Sequence, residues 1–178
     1  MVEAGRYHVR TRSAGKIPHF RDADDFTDFC NRLARVGQRV GWKCEAFCLM
    51  TTHFHLLLDV PADALGSGMK WLNGTYAQQF NRRHDRWGHL CGDRYAITHI
   101  ESVRQLLRTF RYIARNPVEA GLVERPEDYV WSSYAGTAGY APPFSSVDDR
   151  DLVAYYGPNR AAAVERLRMF VEEDVNHS

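Results

Sequence analysis

The stretch Leu49-Met50-Thr51-Thr52-His53-Phe54-His55-Leu56-Leu57-Leu58-Asp59 decides how this chain is interpreted, because two histidines one residue apart open an apolar run. In a β-strand, alternate side chains point to opposite faces of the sheet. The two histidines therefore share one face, while Phe54, Leu56 and Leu58 share the other. The second face packs in a core. The first offers two imidazoles to a divalent metal, which needs a third ligand from elsewhere in the chain.

Secondary structure is predicted outward from this strand. The turn Thr51-Thr52 is so short that residues 42–50 and the histidine strand form an antiparallel hairpin. A first strand over residues 7–12 precedes a helix that Asp22 or Asp24 caps and that ends near Gly37 or Gly41. A second helix runs from about residue 64 to 83, and a fourth strand covers residues 94–100.

The third helix opens at Glu101 or Ser102 and is predicted to end at Asn116. Pro117 follows, and a proline disfavours helical geometry in the residue before it. The order is thus strand, helix, strand, strand, helix, strand, then one more helix. This order predicts an α+β, ferredoxin-like (RRM-like) antiparallel sheet, with the first strand beside the histidine strand and both in central positions.

The C-terminal part of the chain has a different composition. Residues 135–143 are rich in Gly and Ala and contain two prolines, and two short helical patterns follow at residues 147–156 and 160–173. We predict one domain over residues 1–134. Residues 135–178 are expected to form a helical appendage that packs on the same domain.

Composition is that of an ordinary globular protein, with 178 residues, 44% hydrophobic and 25% charged. No apolar run approaches the ~20 residues of a membrane span. The N-terminus lacks the apolar segment of a signal peptide, so we expect no membrane partner and a cytoplasmic location. The four cysteines do not have zinc-ribbon spacing and are interpreted as small buried residues.

Charge is distributed unevenly along the chain. Residues 70–115 contain 9 Lys or Arg and 3 Asp or Glu, a net charge of +6, whereas residues 116–178 contain 5 and 11, a net charge of −6. One interpretation is a surface for a polyanion inside a nearly neutral molecule. The other is a solvated helix face balanced by an acidic tail, and charge alone does not separate the two.

The third helix carries the most informative residue, Tyr112. An apolar stripe at spacings of three and four is formed by Val103, Leu106, Leu107, Phe110, Ile113 and Ala114. At ~100° per residue, Tyr112 lies almost opposite the centre of that stripe. It is either a partly exposed or appendage-covered tyrosine, or a nucleophile that must reach a substrate. Asn116, four residues later on the same face, is either the third metal ligand or a helix C-terminal cap.

His8 presents a similar choice. It lies on the strand expected beside the histidine strand, so it either lines the metal face or is a hydrogen-bonded histidine of the sheet.

Several motifs in one order carry a family resemblance. They are Met50-Thr51-Thr52-His53-Phe54-His55, Trp71-Leu72-Asn73-Gly74-Thr75-Tyr76, Asn81-Arg82-Arg83-His84, Arg94-Tyr95, Tyr112-Ile113-Ala114-Arg115-Asn116-Pro117 and Trp131-Ser132-Ser133-Tyr134. The sequence resembles the IS200-like single-tyrosine HUH transposases, most of all the REP-associated tyrosine transposases. The likeness runs from Tyr7 to about Tyr134. Thr51-Thr52 replaces the usual Pro-Asn, and Ala96 stands where the family often has a phosphate-binding lysine.

The resemblance implies nicking and strand transfer of single-stranded DNA at hairpin-forming, REP-like repeats. His53 and His55 would hold Mg²⁺ or Mn²⁺, and Tyr112 would attack the scissile phosphate to give a 5′-phosphotyrosine and a free 3′-hydroxyl. A phenol is a weak nucleophile near neutral pH and needs this help. The family also implies a monomer or homodimer in the prokaryotic cytoplasm, associated with the nucleoid.

Cations of the basic segment are the predicted DNA contacts. They are Arg94 and Arg108 foremost, then Lys70, Arg82, Arg83 and Arg115. Trp71, Trp87 and Tyr95 are candidate platforms for stacking bases. Two other functions stay open at this point: a domesticated module of the same fold that binds nucleic acid without cutting it, and a hydrolase that uses the histidine pair with a water molecule.

Overall fold

The fold is described from a computed structural model that covers residues 2–15, 17–92 and 94–173. Its elements in order are β1 (Gly5–Arg12), α1 (Ala23–Val40), β2 (Lys43–Met50), β3 (His53–Val60), α2 (Ala64–Arg83), β4 (Ala96–Ile100), α3 (Val103–Glu119), a 3₁₀ turn (Pro126–Asp128), α4 (Tyr134–Thr137), α5 (Arg150–Ala154) and α6 (Arg160–Glu172). The sheet has the order β2-β3-β1-β4, and every neighbouring pair is antiparallel. The predicted α+β, ferredoxin-like sheet with β1 and β3 central and adjacent is confirmed.

Local sequence signals set the ends of α1. The Asp22 side chain accepts a hydrogen bond from the Asp25 N–H at 3.1 Å, which satisfies one of the free donors of the first turn. Gly41 ends the helix with φ of 78°, a left-handed conformation that favours glycine. Of the boundaries that the sequence left open, the structure selects Asp22 and Gly41.

Helices cover both faces of the sheet. α1 and α2 pack on the face that carries Phe54 and Leu56, and their apolar side chains form one core with it. α3 packs on the opposite face, where Leu57 joins a second core with Phe110 of α3 and Leu167 of α6. α3 therefore lies on the face that the two histidines share, which is the arrangement that a joint site with Tyr112 requires.

The end of α3 differs from the prediction. The helix continues through Pro117 to Glu119, so Asn116 lies inside it. The stop signal is Gly121, with φ of 69°: its N–H bonds to the Val118 carbonyl at 2.9 Å, and the Leu122 N–H bonds to the Pro117 carbonyl at 3.0 Å. These two bonds form a Schellman motif. Pro117 disfavours helical geometry at Asn116, but the helix continues and ends at the glycine four residues after the proline.

Other boundaries also move. β2 has a bulge between Cys44 and Ala46, so strict alternation fails there and Cys44 joins the core of Phe47 and not that of Ala46. β4 begins at Ala96, two residues later than predicted. The 3₁₀ turn and α4 lie where the sequence predicted no regular element, because they are too short to show a helical period.

The C-terminal helices contact α3 directly. The Arg111 guanidinium donates hydrogen bonds to the carbonyls of Phe170 at 2.7 Å and Glu173 at 2.6 Å, which lie at the free end of α6. The last five residues of the predicted appendage lie outside the described residues, and the domain boundary at 134 stays a prediction. Among the helices of the described ranges, none combines the length and hydrophobicity needed to cross a membrane.

Candidate active site

The two histidines of β3 lie next to each other on the face covered by α3. Their ring centroids are 5.2 Å apart and the rings are perpendicular. His55 is only 1% exposed, whereas His53 is half-buried at the edge of the core. Pairing with β1 places Arg12 opposite His53 and Arg10 opposite His55, so two cations share the face of the histidines.

α3 brings Tyr112 and Asn116 to this face. The Asn116 Oδ1 atom lies 3.4 Å from His53 Nε2, and the Tyr112 ring lies edge-on to His55 with centroids 5.4 Å apart. Tyr112 is 48% exposed, so its ring contacts the histidines and also reaches solvent. Because α3 is capped by Ala120, Asn116 is not the C-cap, and that alternative is excluded. The predicted meeting of Tyr112, Asn116 and the histidine pair is what the structure shows.

His8 also belongs to this cluster. Its Nε2 lies 2.9 Å from His55 Nδ1, the two rings lie edge to edge with centroids 5.1 Å apart, and the Tyr112 ring is edge-on at 5.9 Å. The sequence had left His8 open between a residue of the metal face and a hydrogen-bonded sheet histidine. The structure shows a hydrogen-bonded sheet histidine whose partner is one of the two histidines, so His8 lies on the face that they share.

All three imidazoles resist protonation. Burial lowers the pKa of His55 to about 3, with further repulsion from the other histidines and from Arg10 and Arg12. Burial also lowers the pKa of His8 to about 4, together with Arg10. The pKa of His53 falls for the same main reason, although its contact with Asn116 opposes the change. At neutral pH the rings are uncharged, which is the form that binds metal.

The residues fit a divalent metal. His55 Nε2 is buried and has no hydrogen-bond partner within the described part of the chain. A buried polar atom without a partner is costly, and a metal would remove that cost. Two imidazole nitrogens and the Asn116 amide oxygen form a mixed donor set that suits Mn²⁺ or Mg²⁺ better than a thiolate-preferring metal. Such a set leaves coordination positions for water and a phosphate oxygen.

A second cluster of potential ligands has a structural role. Asp22, Asp25 and His84 bring ligand atoms within 4.8 Å of one another. However, Arg83 Nη1 lies 2.6 Å from carboxylate oxygens of both aspartates, so its guanidinium already neutralises them. The cluster ties α2 to the start of α1 in the layer away from the histidines, and it is not a candidate metal site.

Two open grooves flank Tyr112 and the histidines. One, of about 560 Å³, is lined by Tyr112, His8, Arg104 and the predicted DNA contact Arg108. The other, of about 690 Å³, is lined by Arg10, Arg12 and the predicted contact Arg94. Arg10 and Arg12 were missed because they lie outside the basic segment. The available signal was the period of two in β1, which puts both on the face of His8.

The other predicted DNA contacts lie elsewhere. Lys70 and Arg82 are exposed on α2, in the helix layer of the opposite sheet face. Arg83 is held by Asp22, Asp24 and Asp25. The Arg115 side chain is 13% exposed and donates to the Val171 carbonyl of α6 at 3.1 Å. The structure does not bring these four cations to the histidine site, and we do not propose DNA contacts for them.

Comparison with known proteins defines the class. The family model described as "Transposase IS200 like" matches residues 2–116, so this chain belongs to that family of HUH tyrosine transposases. The predicted family is thereby confirmed. No curated protein matches the chain significantly.

Two solved structures are similar to this chain, and the first of them supports the fold. A REP-associated tyrosine transposase bound to a REP hairpin is similar, with a TM-score of 0.68 and 15% identity, over 84% of this chain and 90% of that one. A candidate transposase from Deinococcus radiodurans R1 has a TM-score of 0.45 and 19% identity, over 61% and 88% of the two chains. The first likeness supports the fold of the whole sheet and its helices.

Proposed function

We propose that this transposase nicks single-stranded DNA at hairpin-forming repeats and transfers the cut strand, with Tyr112 as the nucleophile. The observation that carries the proposal is the position of α3. Tyr112 and Asn116 lie one helical turn apart on α3, and both contact the face of the sheet that His53 and His55 share.

The proposed reaction is a displacement at phosphorus. The Tyr112 phenol oxygen bonds to the phosphorus, the bond from phosphorus to O3′ breaks, and the products are a 5′-phosphotyrosine and a free 3′-hydroxyl. The phenol proton passes to solvent, which reaches the half-exposed ring, and the leaving O3′ takes up a proton from solvent to become the 3′-hydroxyl. When bound by His53, His55 and Asn116, Mg²⁺ or Mn²⁺ would polarise the phosphate and offset its developing charge. Attack by another 3′-hydroxyl reverses the step and rejoins strands.

β1 supports a path for the strand. One face of β1 carries His8, Arg10 and Arg12 at every second position of the strand. Neighbours in this row are therefore about 6.6 Å apart, and the row spans about 13 Å. This row connects the groove beside Tyr112 with the groove of Arg12 and Arg94. Among the described residues, Arg10, Arg12 and Arg94 have no ion pair with a carboxylate. We infer that these three cations contact phosphates on one side of the cut, and Arg104 and Arg108 on the other.

Two further observations support a hairpin substrate and a monomeric active unit. The REP-associated relative of similar fold was solved with a REP hairpin, which supports a hairpin substrate here. The Tyr112 helix packs on the histidine strand of its own chain, and the C-terminal helices hold it there. One chain thus supplies nucleophile and ligands, which supports a monomer as the active unit.

The test is covalent capture. Hairpin oligonucleotides labelled on either side of the cut are incubated with the protein and Mn²⁺, and adducts are separated on denaturing gels. We expect the label 3′ of the cut to migrate with the protein, and Tyr112→Phe to abolish this adduct. Tyr140→Phe is the matched control, since Tyr140 is similarly exposed (43%) but bonds to Glu172, away from the histidines.

The same experiment separates the other functions. A binding module would retain hairpin affinity and give no adduct with any label. A hydrolase that uses water would still cut after Tyr112→Phe. Either outcome would overturn the proposal, while loss of the adduct in Tyr112→Phe alone supports it.

A further inference from the structure

We infer that His8 is a positioning residue that fixes the tautomer and orientation of His55, so that His55 Nε2 presents its lone pair to the metal. The inference rests on the metal site proposed above and assigns a role to a residue outside the ligand set. It starts from one contact, between His8 Nε2 and His55 Nδ1 at 2.9 Å.

This contact needs one proton between two ring nitrogens. An imidazole that binds a metal is neutral and carries a proton on only one nitrogen. If His8 Nε2 donates, His55 Nδ1 is the acceptor and the His55 proton is on Nε2. If His55 Nδ1 donates, His8 Nε2 accepts and His55 Nε2 has a free lone pair. The two arrangements have the same distance but opposite consequences for metal binding.

Burial distinguishes the two arrangements. His55 Nε2 is buried and has no hydrogen-bond partner among the described residues. A proton there would be a buried donor without an acceptor and would also exclude the metal. With the proton on Nδ1, the only donor of the ring is paired with His8, and the bare Nε2 is the ligand atom. Metal-binding histidines commonly donate their other N–H to such a partner.

Packing also fixes the ring orientation. In the β1–β3 register His8 is opposite Leu57 and Arg10 is opposite His55, so His8 is a diagonal neighbour of His55 on the same face. The two rings lie edge to edge and nearly parallel, with an interplanar angle of 24°. The Tyr112 ring packs against both of them, with centroids 5.4 Å from His55 and 5.9 Å from His8. A flip of the His55 ring would place a carbon against His8 and lose the hydrogen bond. His8 therefore holds both the rotamer and the tautomer.

The first test measures metal affinity in two substitutions. His8→Leu removes the acceptor, whereas His8→Gln keeps an amide oxygen within reach of His55 Nδ1. In Mn²⁺ titrations followed by electron paramagnetic resonance, we expect His8→Leu to bind about 10–100-fold more weakly, the usual cost of losing such a partner. His8→Gln should recover most of the affinity. Wild-type affinity in His8→Leu would overturn the inference.

The second test needs no variant. Long-range ¹H–¹⁵N correlation spectra of the Mg²⁺-loaded wild-type protein report which nitrogen of each imidazole is protonated. We expect His55 to be protonated on Nδ1, and a proton on Nε2 would overturn the inference even if His8→Leu failed to fold. His55→Ala is the control for the site itself. If its Mn²⁺ affinity equals that of wild type, the proposed metal site fails; if it falls and His8→Leu does not, only the role of His8 fails.

Discussion

The proposed strand path predicts a change in the salt dependence of DNA binding. The perturbation is the triple substitution Arg10→Gln, Arg12→Gln and Arg94→Gln, which removes the cations of one groove and leaves the ligand set intact. The Tyr112→Phe background prevents covalent capture, so that equilibrium binding is measured. Each phosphate contact on a single strand contributes about 0.7 to the slope of log affinity against log salt.

The magnitude follows from the number of arginines. Three lost contacts reduce the slope by about 2.1. Between about 50 and 200 mM salt, the DNA affinity of the protein with its three arginines therefore falls by a factor about 18-fold larger than that of the triple variant. Fluorescence anisotropy of a labelled hairpin with a single-stranded extension, titrated over this range, measures both slopes.

A charge-matched control makes the test specific. Arg39, Lys70 and Arg82 are exposed on α1 and α2, in the layer of the opposite face. Changing these three to Gln removes the same net charge at a distance from the histidines, and we expect the slope to stay near that of wild type. Equal slopes for the wild type and the groove variant, or an equal reduction in the control, would refute the proposed path.

Three further predictions concern the metal and stability. Asn116→Ala should weaken Mn²⁺ binding in calorimetric titrations while Asn116→Asp retains it, and equal affinity of all three proteins would remove Asn116 from the ligand set. Chelation by EDTA should stop adduct formation without abolishing hairpin binding on the anisotropy assay, whereas adduct formation without divalent metal would contradict the mechanism. Burial lowers the pKa of His19 to about 4. As pH falls below ~6.5, the His19 side chain therefore takes up a proton in the unfolded chain before it does so in the folded one. The free energy of unfolding that is present above that pH is lost progressively towards pH 4. At pH 5 the loss is ~2 kcal/mol. Urea unfolding at neutral pH and at pH 5 should show that the free energy of unfolding depends correspondingly less on pH in His19→Phe. The same pH dependence in His19→Phe and wild type would contradict this account.

Local patterns sufficed for most of the fold. The alternation around His53 and His55, the helical period of α1 and α3, and the short turn at Thr51-Thr52 gave the element order and the strand neighbours. These signals are local, since a strand period or a cap depends on a few adjacent residues. The error at the end of α3 occurred where two local signals competed, Pro117 against Gly121. The bulge after Cys44 adds a residue that breaks the strand period.

The proposed ligands and the proposed nucleophile were also visible in the sequence, because each occupies a position that its element's pattern does not explain. Two histidines share one strand face, and Tyr112 lies opposite the apolar stripe of α3. The sequence could not say which face of the sheet α3 covers. That choice depends on the second core, formed by Leu57, Phe110 and Leu167 from three distant parts of the chain.

Tertiary structure alone decided the surroundings of His53-Phe54-His55. The register of β1 on β3 brings His8 into contact with His55 and places Arg10 and Arg12 opposite His55 and His53. None of these three residues belongs to the basic segment at 70–115. Arg83 forms ion pairs with the aspartates at the start of α1, and Arg115 donates a hydrogen bond to α6, although their charge suggested DNA contacts. Sequence thus determined which residues have the chemistry of a tyrosine transposase. The fold determined which cations and which third histidine meet them, because register and packing act between residues that no local pattern connects.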